Sequence, residues 1–186
     1  MPERIVPLTP ENYFHIFNRG VNKGLIFYSE RNYRFFIDRM QTYLEPYSEI
    51  LAFCLMPNHF HLLIKVLNIM FTKESLQPLF LSYAKAINRE QERVGPLFQG
   101  RFQAYLVEDD DYLLDCVKYI HLNPVKANLV DRPNQWKYSS YSTYLGTSYF
   151  TFIDTKNIMS YFSSISDFQE YHEIEMEEYQ PKHIND

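Results

Sequence analysis

The sequence predicts an α+β fold of the ferredoxin-like βαββαβ type, an antiparallel sheet with helices on one face and an added helix that carries a tyrosine. Three observations lead there. Segments with strand and helix character follow one another as strand, helix, strand, strand, helix, strand. The two central strands are joined by a short connection around Met56-Pro57-Asn58, which only antiparallel neighbours can use. A hydrophobic content of 46% over 186 residues is enough for one full core and too little for two comfortable domains.

Tyr13 to Arg19 is strand-forming by its aromatic and β-branched content, and Gly20 to Gly24 turns the chain after it. Ser29 or Asn32 caps a helix that runs to about Leu44, with Phe35, Phe36, Met40 and Tyr43 at helical spacing and Pro46 as its stop. Glu49 to Leu55 and Phe60 to Leu67 are the apolar strands of a hairpin around Met56-Pro57-Asn58. A second long helix is expected over Thr72 to Arg93, its buried stripe made of Leu76, Leu79, Phe80, Tyr83 and Ile87, with Gly95-Pro96 closing it. Leu97 to Val107 reads as the fourth strand. The run Glu108-Asp109-Asp110-Asp111 then places carboxylates where a helix N-terminus favours them, ahead of a helix from about Tyr112 to Leu122. Helix capping is a better account of that run than metal binding.

The net charge of −5 runs against a nucleic-acid partner, because phosphate binding usually leaves a basic footprint. Its distribution weakens the objection. Residues 151–186 hold 8 of the 23 acidic side chains and 2 of the 18 lysines and arginines, which leaves residues 1–150 with 15 acidic and 16 basic groups. We therefore divide the chain into a main domain over 1–150 and an acidic C-terminal extension over 151–186, with a peripheral helix over Ser166 to Tyr179. Aromatic residues reach 17%, with 16 Tyr and 15 Phe, enough to fill a core and also to offer stacking surfaces to exposed bases. No stretch of about 18 apolar residues occurs, and Met1 to Pro10 has no signal-peptide run. Cys54 and Cys116 fit neither a zinc pattern nor a disulfide framework. A soluble protein of the cytoplasm is the expectation, with no membrane partner.

His59 and His61 are two apart on an expected strand, so both rings leave one face with Cα atoms about 6.6 Å apart while Phe60 points into the core. One divalent ion can be shared by such a pair, although pairs of this spacing also arise in sheets without a ligand. On a helical wheel Leu113, Val117 and Ile120 form one stripe, and Tyr112, Cys116, Tyr119 and Asn123 gather on the opposite side, away from that stripe. Tyr119 and Asn123 stand one turn apart, and an Asn carbonyl oxygen suits a hard ion. Asn123 also precedes Pro124, so a helix terminator explains it equally well. With 16 tyrosines in the chain, Tyr119 on pattern alone is an ordinary amphipathic wall residue.

Met56-Pro57-Asn58-His59-Phe60-His61-Leu62-Leu63 and Lys118-Tyr119-Ile120-His121-Leu122-Asn123-Pro124-Val125-Lys126-Ala127 resemble the REP-associated tyrosine transposases, single-tyrosine HUH enzymes related to the insertion-sequence transposases that act on single strands. Phe14-His15-Ile16-Phe17-Asn18-Arg19-Gly20 and Trp136-Lys137-Tyr138-Ser139-Ser140-Tyr141 resemble that family's opening and closing motifs, and the likeness spans about residues 12–145. The resemblance implies that His59 and His61 bind a divalent metal, Mg²⁺ or Mn²⁺, that Asn123 completes the metal site, and that Tyr119 is the nucleophile. It implies a 5′-phosphotyrosine intermediate, and single-stranded DNA carrying a hairpin as the partner of a monomer or homodimer. Arg19 and Arg101 match positions near the DNA. His15 lies on a strand of the same sheet, and for His15, Arg19 and Arg101 alike core or surface roles are equally credible. Two other readings stay open: a regulatory nucleic-acid-binding module of this fold that has lost catalysis, and a replication or conjugation nicking enzyme, for whose usual extra domains 186 residues leave no space.

Overall fold

Tyr13–Arg19 forms β1, Ser48–Met56 β2, His59–Val66 β3 and Gln103–Val107 β4, and in the computed structural model they pair antiparallel in the order β2-β3-β1-β4. The structure describes residues 7–148 and 150–173. Helix α1 (Glu30–Leu44) joins β1 to β2, and α2 (Gln77–Glu90) joins β3 to β4. Each helix links two parallel strands with a third strand between them, which is the split βαβ arrangement of a ferredoxin-like sheet.

Alternation along the strands sorts the side chains into two layers. Phe60 meets Phe36 of α1 and Phe80 of α2, both at 5.3 Å between ring centroids, and Phe14 and Ile16 of β1 are buried on that same face. Tyr83 of α2 is fully buried in this layer and donates its hydroxyl to the Ile26 carbonyl (2.7 Å). The opposite face receives α3 (Asp110–Lys126), which lies chiefly over β2 and reaches β3. The sheet is therefore covered on both sides, and the aromatic abundance goes largely into these two layers.

Three boundaries differ from expectation. The fourth strand begins at Gln103 rather than Leu97, because Gly100 adopts a positive φ of 76° and the preceding segment makes only the isolated bridge Gly20–Phe98. The second helix opens with a π turn (Thr72–Leu76) before α2 proper. The third helix does not stop at Leu122 but runs through Pro124 to Lys126. Proline removes one intrahelical donor, yet the last turn is held by Ala127 N–H to Asn123 O (3.0 Å) and Leu129 N–H to Pro124 O (2.9 Å), and both Asn123 and Pro124 are buried. Asn123 thus sits inside the helix and does not terminate it. The wheel face of Cys116, Tyr119 and Asn123 is not turned away from the core, since all three are buried against the sheet. Ser29 occupies the N-cap of α1 without a capping side-chain bond, while Asn32 Oδ1 accepts from Tyr28 N–H (2.9 Å). Asp109 caps α3 as its acidic run suggested, accepting from Tyr112 N–H (2.7 Å).

The outer edge of β2 is sealed by the chain after α3. Leu55 N–H donates to Tyr138 O (2.9 Å), Ser140 N–H to Phe53 O (3.0 Å), and Asp154 N–H to Ile50 O (2.9 Å). Tyr138 also stacks on Tyr33 of α1 at 3.7 Å between centroids. Pairing and covering an edge removes its open donors and acceptors. Residues 150–173, read from sequence as an extension, contribute Phe152, Ile153, Ile158, Phe168 and His172 to the buried interior. Their helices are α5 (Thr155–Met159) and α6 (Ile165–Glu173), after the short α4 (Tyr141–Tyr144). The part of the expected peripheral helix beyond residue 173 lies outside the described residues.

Phe60→Ala should cost about 3–5 kcal/mol of unfolding free energy in urea titrations, the usual range for removing a buried aromatic, because Phe60 is wholly enclosed between the sheet and α1 and α2. A loss below about 1 kcal/mol would mean that this layer does not anchor β3.

Candidate active site

The hairpin turn that precedes His59 is held from outside the hairpin. Its two residues, Pro57 and Asn58, give their carbonyls to Ile26 N–H (2.9 Å), Phe27 N–H (3.0 Å) and Gly20 N–H (2.8 Å). Gly20 permits this approach, since a Cβ there would meet the Gly24 carbonyl oxygen at 2.0 Å. The Asn58 amide donates to Lys23 O (3.2 Å), which leaves Asn58 Oδ1 as an acceptor 2.7 Å from His59 Nδ1. A neutral His59 therefore carries its proton on Nδ1 and directs the Nε2 lone pair elsewhere.

That lone pair faces Asn123. His59 Nε2 lies 3.0 Å from Asn123 Oδ1, and His61 Nε2 lies 3.4 Å from Asn123 Nδ2, so both imidazoles of β3 converge on one amide of α3. Tyr119, one turn before Asn123, stands edge-on to His61 with ring centroids 5.4 Å apart. Lys126 places its ammonium 5.1 Å from the Tyr119 ring centre. The structure thus brings His59, His61, Tyr119 and Asn123 together, all from one chain. Tyr119 is 4% exposed.

His61 has a further partner. On β1, His15 and Phe17 share the face of His59 and His61, and the β1–β3 register pairs His61 with Phe17, which puts His15 on the diagonal. His15 Nε2 lies 3.0 Å from His61 Nδ1, both rings are buried, and His15 Nδ1 has no hydrogen-bond partner. Burial lowers the His15 pKa to about 3 and pushes that of His61 well below its ordinary value, with smaller contributions from His59 and His15. Both rings are neutral and retain lone pairs for a ligand or a hydrogen bond.

Arg19 is opposite His59 in the β1–β3 register and donates from Nε to Gln99 Oε1 (2.9 Å). Arg101 is exposed in the segment leading into β4. Among the described residues, no group of three or more His, Cys, Asp or Glu could hold a metal ion. The donor set around His59 and His61 gains its third member only from an amide oxygen. That set nevertheless suits a cation: Asn123 Oδ1 faces the His59 Nε2 lone pair at 3.0 Å, and two facing acceptors are satisfied by a positive charge between them. Such a site would hold the ion by His59 Nε2, His61 Nε2 and Asn123 Oδ1.

A second buried histidine pair sits on the other side of α3, and no sequence signal pointed to it. Phe53 N–H donates to Ser140 Oγ (2.9 Å), and Ser140 Oγ lies 2.8 Å from His121 Nε2. His121 Nδ1 is 3.0 Å from His172 Nε2, and His172 Nδ1 is 2.8 Å from Phe168 O. Because Phe168 O can only accept, the proton positions follow in sequence: His172 donates from Nδ1, His121 donates from Nδ1 to His172, and Ser140 donates to His121. Burial holds His121 well below its ordinary pKa, with the His172 charge adding to it, and brings His172 down to about 4.

Histidines in the unfolded chain titrate near 6.5. Between about pH 6.5 and pH 4 the unfolded state takes up protons that the native His121–His172 pair refuses, so stability falls as pH drops through that window, by up to about 1.4 kcal/mol per pH unit for each group. Thermal unfolding followed from about pH 7.5 to about pH 4 should show a falling Tm, and His172→Phe should make the fall shallower. Parallel profiles for the two proteins would assign the pH dependence elsewhere.

Comparison with known proteins adds three findings. A family model described as IS200-like transposase matches residues 12–123, more than half of the chain. A protein of Haemophilus influenzae designated a REP-associated tyrosine transposase is 27% identical over 152 residues, covering 70% of this chain and 85% of the relative. A solved structure of a REP-associated tyrosine transposase bound to a REP hairpin superposes with a TM-score of 0.61 at 16% identity, over 83% of this chain and 98% of the other, which establishes likeness of fold.

Proposed function

The chain belongs to the IS200-like transposase family, and from that membership we propose that it cuts and rejoins single-stranded DNA, with Tyr119 as nucleophile and a divalent metal held by His59, His61 and Asn123. The observation that carries the reading is the convergence of both histidine Nε2 atoms on the Asn123 amide beside the Tyr119 ring. Chance pairs of histidines on a strand have no reason to meet a tyrosine and an amide from a distant helix.

Phenols titrate near 10, so Tyr119 needs assistance to attack at neutral pH. The Lys126 ammonium stands 5.1 Å from the centre of its ring, a cation beside the proposed nucleophile. The bound metal would supply charge neutralisation at the scissile phosphate. Tyr119 Oη forms a bond to phosphorus as the bond from phosphorus to the 3′ oxygen breaks, and the phenolic proton ends on that oxygen. The products are a 5′-phosphotyrosine and a 3′-hydroxyl. The number of phosphoester bonds is conserved, so another 3′-hydroxyl can reverse the step without a nucleotide cofactor.

The near-neutral charge of residues 1–150 leaves recognition to shape and stacking more than to bulk attraction. The solved relative is bound to a REP hairpin, and we take a hairpin-bearing single strand as the substrate of this chain as well. We assign Arg19, opposite His59 in the sheet register, a contact to the phosphate backbone beside the site. We assign Arg101 a more distant contact. Among the described residues no helix is long and apolar enough to cross a membrane.

Incubating the protein and Mg²⁺ with a 3′-labelled hairpin oligonucleotide should give labelled protein under denaturing conditions. The adduct should vanish in Tyr119→Phe and drop sharply when the same sequence is fully duplexed. An adduct that persists in Tyr119→Phe assigns the nucleophile to another residue, and equal labelling of both DNA forms removes the single-strand requirement. Titration calorimetry with Mn²⁺ should show heat for the wild type and none for His59→Ala or His61→Ala. Asn123→Ala should bind at least about tenfold more weakly, as expected for loss of one ligand. Undiminished binding in any of the three takes that residue out of the metal site.

A further inference from the structure

We infer that His15 is a positioning residue for the metal site, holding His61 with Nε2 toward the ion by accepting the proton on His61 Nδ1. The inference rests on the metal reading above and goes beyond it, because His15 lies outside the three proposed ligands. Its basis is the 3.0 Å contact between His15 Nε2 and His61 Nδ1, made across β1 and β3 with both rings enclosed.

Two neutral imidazoles facing through one nitrogen each share a single proton, so only two arrangements exist. If His15 donates, His61 keeps its own proton on Nε2, the atom that faces Asn123, and has no lone pair there for an ion. If His61 donates, its Nε2 is a bare donor atom directed at the same amide that His59 Nε2 approaches. Only the second arrangement loads. It requires an acceptor at the place of His15 Nε2, and it puts the His15 proton on Nδ1, the atom without a partner. His15 Nδ1 is without a partner in either arrangement, so what separates the two is whether His61 Nε2 is left bare toward the amide. His59 has the matching support from Asn58 Oδ1 at 2.7 Å. Each of the two ligands thus has one nitrogen committed to a neighbour and the other to the site, which is how ligand tautomers are commonly fixed.

The test titrates Mn²⁺ into the full chain carrying His15→Phe or His15→Gln and compares each with the wild type, with circular dichroism and thermal melting as the check on folding. Phe keeps a flat ring but offers no acceptor, and affinity should fall about 10–100-fold, the range seen when a ligand loses its outer partner. Gln can place an amide oxygen near the position of Nε2 and should recover most of the loss. If the Phe variant does not fold, His15→Asn, whose amide is too short to reach His61, replaces it. Long-range ¹H–¹⁵N spectra of the Mg²⁺-loaded protein should show His61 protonated at Nδ1. Wild-type affinity in His15→Phe, or a loaded His61 protonated at Nε2, overturns the role of His15 while the metal site stands. Failure of the wild type to bind Mn²⁺ overturns the metal site itself.

Discussion

Phe60 is gripped between Phe36 and Phe80, and the alternation of a strand turns whatever flanks it to the opposite face. His59 and His61 flank it. The orientation of both proposed ligands is thus fixed by burial of an aromatic residue that takes no part in the site. The two-residue turn before His59 adds a limit along the strand, because its carbonyls are engaged by the segment from Gly20 to Phe27. Strand, turn and buried ring leave the pair little freedom, and α3 then has to bring only Tyr119 and Asn123 to a prepared surface.

What the sequence made legible is what periodicity encodes. The strand of Tyr13–Arg19 has the expected limits, and the Met56-Pro57-Asn58 connection produces the hairpin read from it. Asp109 caps as its position suggested. Gly100 explains the shortened fourth strand, but a glycine three residues before a strand carries no sign of whether its φ will be positive. Pro124 misled in the other direction. A local rule disfavouring helix at Asn123 was outweighed by tertiary burial of both residues, a cost invisible until the sheet under them is known.

The site was legible in parts for the same reason. His59 and His61 are two apart in sequence, so their common face follows from strand geometry alone. Tyr119 and Asn123 are on another element 58 to 64 positions away, and their meeting with the pair is a fact of packing. His15 is still less visible, since its approach to His61 depends on the register of β1 against β3. His172 lies beyond the stretch that resembles the family, and no spacing announces its contact with His121.

Apolar packing alone would hold α3 on the sheet, but it is non-directional, and a greasy helix can be shifted along a greasy surface at modest cost. The run from Phe53 N–H through Ser140, His121 and His172 to Phe168 O is directional, every link giving in one sense and receiving in the other. A helix displaced by one residue would present Ile120 or Leu122 to Ser140 and could not close it. The relay therefore acts as a key for seating and less as a source of adhesion, accepting one placement of the helix among several that greasiness would tolerate. Tyr119 and Asn123 lie two residues to either side of His121, so the tolerance on their position is that of a hydrogen bond and not that of a hydrophobic contact.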